Sequence, residues 1–376
     1  MKKRILIITK NVFTSYDYER FKIEKLSLKY DIYCIDCSHL FFNFIKKKEK
    51  KINNYYKVKK ILEYIYLLNQ IKPDLILDQL GFSFTYKTIF LRLYANLKSK
   101  CLFYFTGPKK RIPTFSNFKN GFLYSLKYPL KFFILLNNFL AKKIFINFNF
   151  YNTIFLLTSN YSEEMIKNIK LKKIIYFHSN DYDNYLLFKN KLNFMDNNYA
   201  VFLDENVPDH DDYQIANFKS PIDSDTYYKL MNNFFSQYEK KFNLNVLVAI
   251  HPKSNLEEMS KNFSNRKVYI GRTQELISKS RIVFAHCSTS RSYAILYNKP
   301  LVYLTSDIIS KTWFGKEIDE NYKLTGSKLI NLNKINLSAI DSYEINNEKY
   351  REYKDRFLKH PKSENILFEN IFSRII

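Results

Sequence analysis

Short apolar runs alternate along this chain with longer stretches whose apolar positions recur every three or four residues. The runs Arg4–Thr9, Asp31–Ile35, Asp74–Leu77 and Cys101–Phe105 read as strands, and Tyr18–Leu28, Val58–Gln70 and Thr85–Leu97 read as amphipathic helices between them. The pattern restarts with strands at Ala200–Leu203, Val246–Ile250, Lys267–Ile270, Arg281–Ala285 and Leu301–Leu304. Helices fit between these at Asp223–Lys240, Thr273–Lys279 and Ser290–Tyr297. Strands that alternate with helices build βαβ units, and βαβ units build parallel sheets. The polar stretch Asp181–Asn198 separates the two series, and the tail from Glu344 reads as two helices broken at His360-Pro361. The expected class is α/β, with two Rossmann-like doubly wound domains facing a cleft and C-terminal helices. The expected limits are 1–190, 191–345 and 346–376, the last able to pack back on the first domain.

Ligands of open α/β sheets bind beyond the carboxyl ends of the strands. Three polar clusters fall there in the second series. Asp204-Glu205 closes the strand Tyr199–Leu203, where partial burial would raise a carboxylate toward a useful general-base pKa. His251-Pro252 closes Val246–Ile250 and is followed by Lys253. Proline fixes the backbone there, so the imidazole is placed to donate to a phosphate oxygen as a nucleotide leaves. Ser288-Thr289-Ser290 follows Arg281–Ala285 and opens a helix, with Arg291 next to it. Hydroxyls and amides at a helix start suit a phosphate or carboxylate. His286, just before, reads as a core histidine. The second domain is thus expected to bind a nucleotide-sugar donor and the first an acceptor.

Composition narrows the classes. The 376 residues are 46% hydrophobic and 26% charged, a globular balance. The heavy Lys, Asn, Ile, Phe and Tyr usage reads as a coding bias, which weakens aromatic and lysine counts as functional signals. The net charge is +24, but residues 1–150 hold 29 Lys/Arg against 9 Asp/Glu, a surplus of 20. No acid occurs between Cys101 and Phe150. Such a half is expected to meet an anionic surface, and Lys109–Lys143 mixes the cations with Phe, Leu, Tyr and Ile in the manner of a peripheral membrane surface. Cys34 and Cys37 have CxxC spacing without a second ligand pair, so structural thiols are expected rather than zinc. Asp181-Tyr-Asp183 and Asp223-Ser-Asp225 are weak DxD matches, and no metal site is expected. Dinucleotide, P-loop, zincin and nucleophile-elbow motifs are absent. No signal peptide and no membrane-spanning run is read, which gives a cytoplasmic protein peripheral to the inner membrane.

In this order and spacing, Asp204-Glu205-Asn206, His251-Pro252 and Ser288-Thr289 resemble the motifs of bacterial sialyltransferase-type GT-B glycosyltransferases over about 105 residues. That family has Gly where this chain has Asn206, a residue that tolerates left-handed backbone. The resemblance implies GT-B architecture, a CMP-activated sialic, pseudaminic or legionaminic acid or Kdo as donor, and a glycan or lipid-linked glycan acceptor in capsule, lipopolysaccharide or lipooligosaccharide synthesis. It implies that Asp204 or Glu205 activates the acceptor hydroxyl, that His251 contacts the CMP phosphate, and that Ser288 and Thr289 hold the donor. No further cofactor is implied. A glycerol- or ribitol-phosphate transferase of the same shape is the alternative. A basic nucleic-acid-binding protein is a third reading, suggested by charge alone and disfavoured because no RNP, KH or zinc pattern is present.

Overall fold

The computed structural model describes residues 1–42, 49–81, 85–105, 140, 143–144, 147, 151–169, 173–189, 198–210, 219–251, 254–341 and 344–376. Two compact units emerge: Met1–Asp183 with Lys359–Ile376, and Asn184–Leu358. Each is built on one parallel sheet with helices in the crossovers. The α/β class with two Rossmann-like domains is therefore the observed one.

In the first unit, β1 (Arg4–Thr9), β2 (Asp31–Asp36), β3 (Asn54–Lys57), β4 (Leu75–Gln79), β5 (Lys100–Phe105), β6 (Thr153–Leu157) and β7 (Lys173–Tyr176) lie in the order β3-β2-β1-β4-β5-β6-β7. A strand covered on both faces must be apolar on both faces, which is why β1 and β4 are nearly continuous runs of Ile and Leu. One face carries Ile5, Ile7, Leu75 and Leu77, and the other carries Leu6, Ile8, Ile35 and Ile76. The expected helix Tyr18–Leu28 is two shorter ones, Ser15–Arg20 and Ile23–Lys29. They are broken at Lys22, which adopts left-handed backbone (φ 51°). The tail forms two helical segments with His360-Pro361 in the break between them, as expected. A helix at Asn347–Tyr353 runs into one π-type turn at Lys354–Leu358, and an irregular stretch follows before the last helix, Phe368–Ile375. That last helix inserts Phe368, Ile371, Phe372 and Ile375 into the core face of the first unit that holds Ile5 and Ile7.

In the second unit, β8 (Tyr199–Leu203), β9 (Asn245–Ala249), β10 (Val268–Tyr269), β11 (Ile282–Ala285), β12 (Leu301–Thr305) and β13 (Lys328–Asn331) lie in the order β10-β9-β8-β11-β12-β13. The helix Ser224–Phe242 shows how sequence fixes this architecture. Asp223 caps it by accepting the Thr226 amide at 2.9 Å, and Asn243 closes it in left-handed backbone. Between the caps, Tyr227, Met231, Phe234 and Tyr238 recur at helical spacing and are buried.

Candidate functional site at the carboxyl tips of β8, β9 and β11

The strand order of the second unit reverses between β8 and β11, since β9 and β10 extend on one side of β8 and β11 to β13 on the other. At such a switch point the loops diverge and leave room for a ligand. Leu203 is in register with Ala249 on one side and Ala285 on the other. The chain therefore delivers Asp204, Ile250-His251 and His286-Cys287 to one edge of three adjacent strands. The three clusters read from the sequence fall at neighbouring tips.

Their side chains do different things. Asp204 is buried, and its amide extends the β8–β9 ladder by donating to the Ala249 carbonyl at 2.9 Å. Among the described residues its carboxylate oxygens have no hydrogen-bond partner. The amides of Asn206, His251 and Glu205 face it and oppose the effect of burial, but none reaches hydrogen-bond geometry, and burial wins. The acid is pushed up to about 7. The carboxyl is thus enclosed at the floor of the tip. Glu205, the other of the pair, is half-buried, and the Cys287 amide donates to its Oε2 at 2.6 Å. That bond ties the loop after β8 to the loop after β11 across the switch point. Asn206 adopts left-handed backbone (φ 51°), as expected of Asn at this turn.

His251 is half-buried at the tip of β9, its ring edge-on to that of His210 with centroids 5.5 Å apart. Nothing in the sequence singles out His210, which sits in an acid-rich loop with no pattern of its own. Pro252 and Lys253 lie outside the described residues. His286 is a core residue, as expected. Leu304 accepts a hydrogen bond from its Nδ1 at 2.7 Å, the Tyr227 hydroxyl lies 3.2 Å from its Nε2, and burial lowers its pKa to about 4.

The loop Ser288–Ser290 differs from the cradle expected of it. The helix it opens, Arg291–Leu296, has only six residues. The amides of Arg291, Ser292 and Tyr293 donate to the carbonyls of Ser288, Thr289 and Ser290 at 3.2, 3.2 and 3.0 Å, so they are already used. The Ser290 amide donates to Ser288 Oγ at 3.3 Å. The loop also presents its hydroxyls: Thr289 is exposed, and Ser288 and Ser290 are partly exposed. Arg291 was expected to neutralise a donor. Instead it is buried, and its Nη1 donates to the carbonyls of Cys287 and Ser288 at 2.6 and 2.7 Å. Its guanidinium also lies over the Tyr353 ring, 5.9 Å from its centroid. It shapes the loop from beneath.

The first unit has its own switch point between β1 and β4. There Lys10 is half-buried near the Phe41 and Phe42 rings, and burial followed by the nearby Arg92 charge lowers its pKa. Arg92 itself forms a buried ion pair with Asp78 at 2.7 Å. Among the described residues no cluster of three His, Cys, Asp or Glu is placed to hold a metal, and no helix is long and apolar enough to cross a membrane. Cys34 and Cys37 are buried, unbridged thiols, with burial first among the causes that push each pKa up.

No protein-family model matches the chain. No curated protein matches it either. Solved structures do. The chain is similar to S. aureus MnaA in its co-structure with UDP, at 14% identity, covering 99% of this chain and 96% of that one, with a TM-score of 0.52. It is also similar to the UDP-GlcNAc 2-epimerase of Methanocaldococcus jannaschii (14% identity, 100% and 99% covered, TM-score 0.49). The Neisseria meningitidis UDP-GlcNAc 2-epimerase bound to UDP-GlcNAc is a third (15%, 100% and 99%, TM-score 0.48). The likeness to MnaA overturns the resemblance to sialyltransferase-type enzymes, and with it the CMP-linked acidic sugar and Kdo. The three short motifs misled because polar residues at strand tips are common to switch-point sites and do not distinguish one nucleotide from another. At these identities what the chain shares with its neighbours is the two-domain α/β fold.

Proposed function

We propose that the chain is an enzyme acting on a UDP-linked sugar, with the UDP part held at the tips of β8, β9 and β11. The observation that carries the reading is the convergence of Glu205, His251 and the Ser288–Ser290 hydroxyls at the switch point of a sheet whose full-length structural neighbour was solved with UDP. His251 and the hydroxyls of Ser288, Thr289 and Ser290 are the donors suited to phosphate oxygens. Glu205, fixed by the Cys287 amide, is an acceptor suited to sugar or ribose hydroxyls. Asp204 and Arg291 act on these groups from below, as positioning residues.

The test is incubation of the intact chain with UDP-GlcNAc, followed by proton NMR. Release of UDP, or a new anomeric signal with UDP still attached, supports the reading, and the two results separate cleavage or transfer from epimerisation. A spectrum unchanged with UDP-GlcNAc, and likewise with other UDP-hexoses, argues against it.

A further inference from the structure

The helices Ile61–Ile71 and Tyr86–Lys98 lie side by side in the first unit. The Tyr64 hydroxyl donates to the Leu91 carbonyl at 3.0 Å, and Asn69 Nδ2 donates to the Tyr94 hydroxyl at 2.8 Å. Each helix buries one stripe against the sheet, Tyr64, Leu68 and Ile71 on the first and Ile89, Leu91 and Ala95 on the second. The opposite stripe of a surface helix is ordinarily polar. Here it is not. Leu62 and Tyr66, four residues apart, point outward on the first helix, and Tyr86, Phe90 and Leu97 do so on the second. Leu62 and Leu97 are 74% and 72% exposed, so neither is held in place by the fold. A shallow hollow lined by Tyr55, Lys57, Leu62 and Tyr66 continues the surface toward the edge strand β3.

The charges on the two helices are one-sided, while Lys57 at the hollow is paired with Glu49. The two helices contain a single acid, Glu63, and its carboxylate is engaged by the amides of Lys59 and Lys60 at the start of its own helix. Exposed Lys59, Lys60 and Lys72 border the first helix, and Lys98 stands 5.3 Å from the Tyr94 ring at the end of the second. Paired helices with aliphatic and tyrosine side chains outward, lysines around them and no free carboxylate on either helix have the composition of an interfacial surface. The apolar groups enter the headgroup boundary, tyrosine hydroxyls stay at the polar level, and lysines meet anionic phosphates. We propose that this face docks the first unit on an anionic lipid bilayer. Docking there does not depend on which nucleotide the second unit binds. It also rests on other residues than Lys109–Lys143, most of which lie outside the described residues.

The experiment is co-sedimentation of the intact chain with vesicles of equal parts phosphatidylglycerol and phosphatidylcholine, against pure phosphatidylcholine. The wild type is expected to sediment with the anionic vesicles and to remain in solution with the neutral ones. A Leu62→Glu/Leu97→Glu variant is expected to lose at least about tenfold in partition coefficient, with its thermal midpoint and circular dichroism unchanged because both side chains are exposed. Wild type that stays in solution with anionic vesicles overturns the proposal. So does a variant that sediments like wild type, which would assign binding to charge elsewhere. A wild type that binds no vesicle but forms a dimer dissolved by the same substitutions overturns it too, since a second copy then covers the face.

Discussion

Asp204 sets the clearest expectation among single residues. Its unfolded form ionises from about pH 4, whereas burial keeps the folded form protonated to about 7. The folded state is therefore not penalised below about pH 4, loses stability progressively between the two values, and carries the full penalty above 7. Moving the ionisation from about pH 4 to about 7 bounds that penalty at about 4 kcal/mol. Asp204→Asn is expected to match wild-type stability near pH 4 and to exceed it at pH 8, read as a rise in thermal midpoint that grows with pH. An equal midpoint difference at both pH values contradicts the assignment. His251→Ala is expected to leave the fold intact, since the ring stands half-exposed at a tip, while lowering turnover of the UDP-sugar by at least about 100-fold. The residues at the tips were legible because strand ends are legible: Leu203, Ile250 and Ala285 each end a continuous apolar run. Their separate roles were not legible. That Asp204 is enclosed while Glu205 is bonded to Cys287 depends on the pairing of β8 with β11, a contact 82 residues apart in the chain.

Among the elements, the Ser288–Ser290 loop owes its shape to Arg291. The guanidinium donates to the buried Cys287 carbonyl and adds a second donor to the Ser288 carbonyl, which the Arg291 amide also meets. Arg291→Met is expected to cost about 2–4 kcal/mol in denaturant unfolding and to weaken UDP binding, although the side chain faces no ligand. Loss of stability with unchanged UDP affinity would show that the loop keeps its form without the arginine. The strands β8, β9, β11 and β12 stand out in the sequence, whereas β3 and β13 do not. The reason is physical. Both are four-residue edge strands, NYYK and KLIN, half covered and partly polar, so neither the length nor the burial that marks a central strand is present. The strands β6 and β7 are apolar enough to be read, but they follow a long stretch of Phe, Lys and Asn in which strand and helix patterns are hard to separate.

For the whole molecule, the chain leaves its first unit near Asp183 and returns at Lys359. The return is held at both ends. Lys359 forms an antiparallel bridge with His178, and the amide of Phe368 donates to Asp183 Oδ1 at 2.7 Å. Asp183, raised by burial to about 6, thus caps the last helix. Removing Lys359–Ile376 is expected to uncover the core positions that Phe368, Ile371 and Phe372 fill. The first unit should then become sensitive to protease at concentrations that spare the full chain. A truncated chain as resistant as the intact one would mean the tail adds nothing to that core. The α/β class and the presence of two sheets were readable from alternation alone, whereas the identity of the nucleotide was not, because a switch point is a geometry and recognition is a detail of a few side chains.

Whether the tips of β8, β9 and β11 hold a UDP group is open to direct measurement by isothermal titration of the intact chain with UDP, beside CMP and beside the His251→Ala variant. A single site of micromolar-class affinity, about −8 kcal/mol, is expected for UDP. CMP should bind more weakly, and the variant should lose at least about tenfold. No heat with UDP, tighter binding of CMP, or an affinity that the substitution leaves unchanged would contradict a UDP site at these tips.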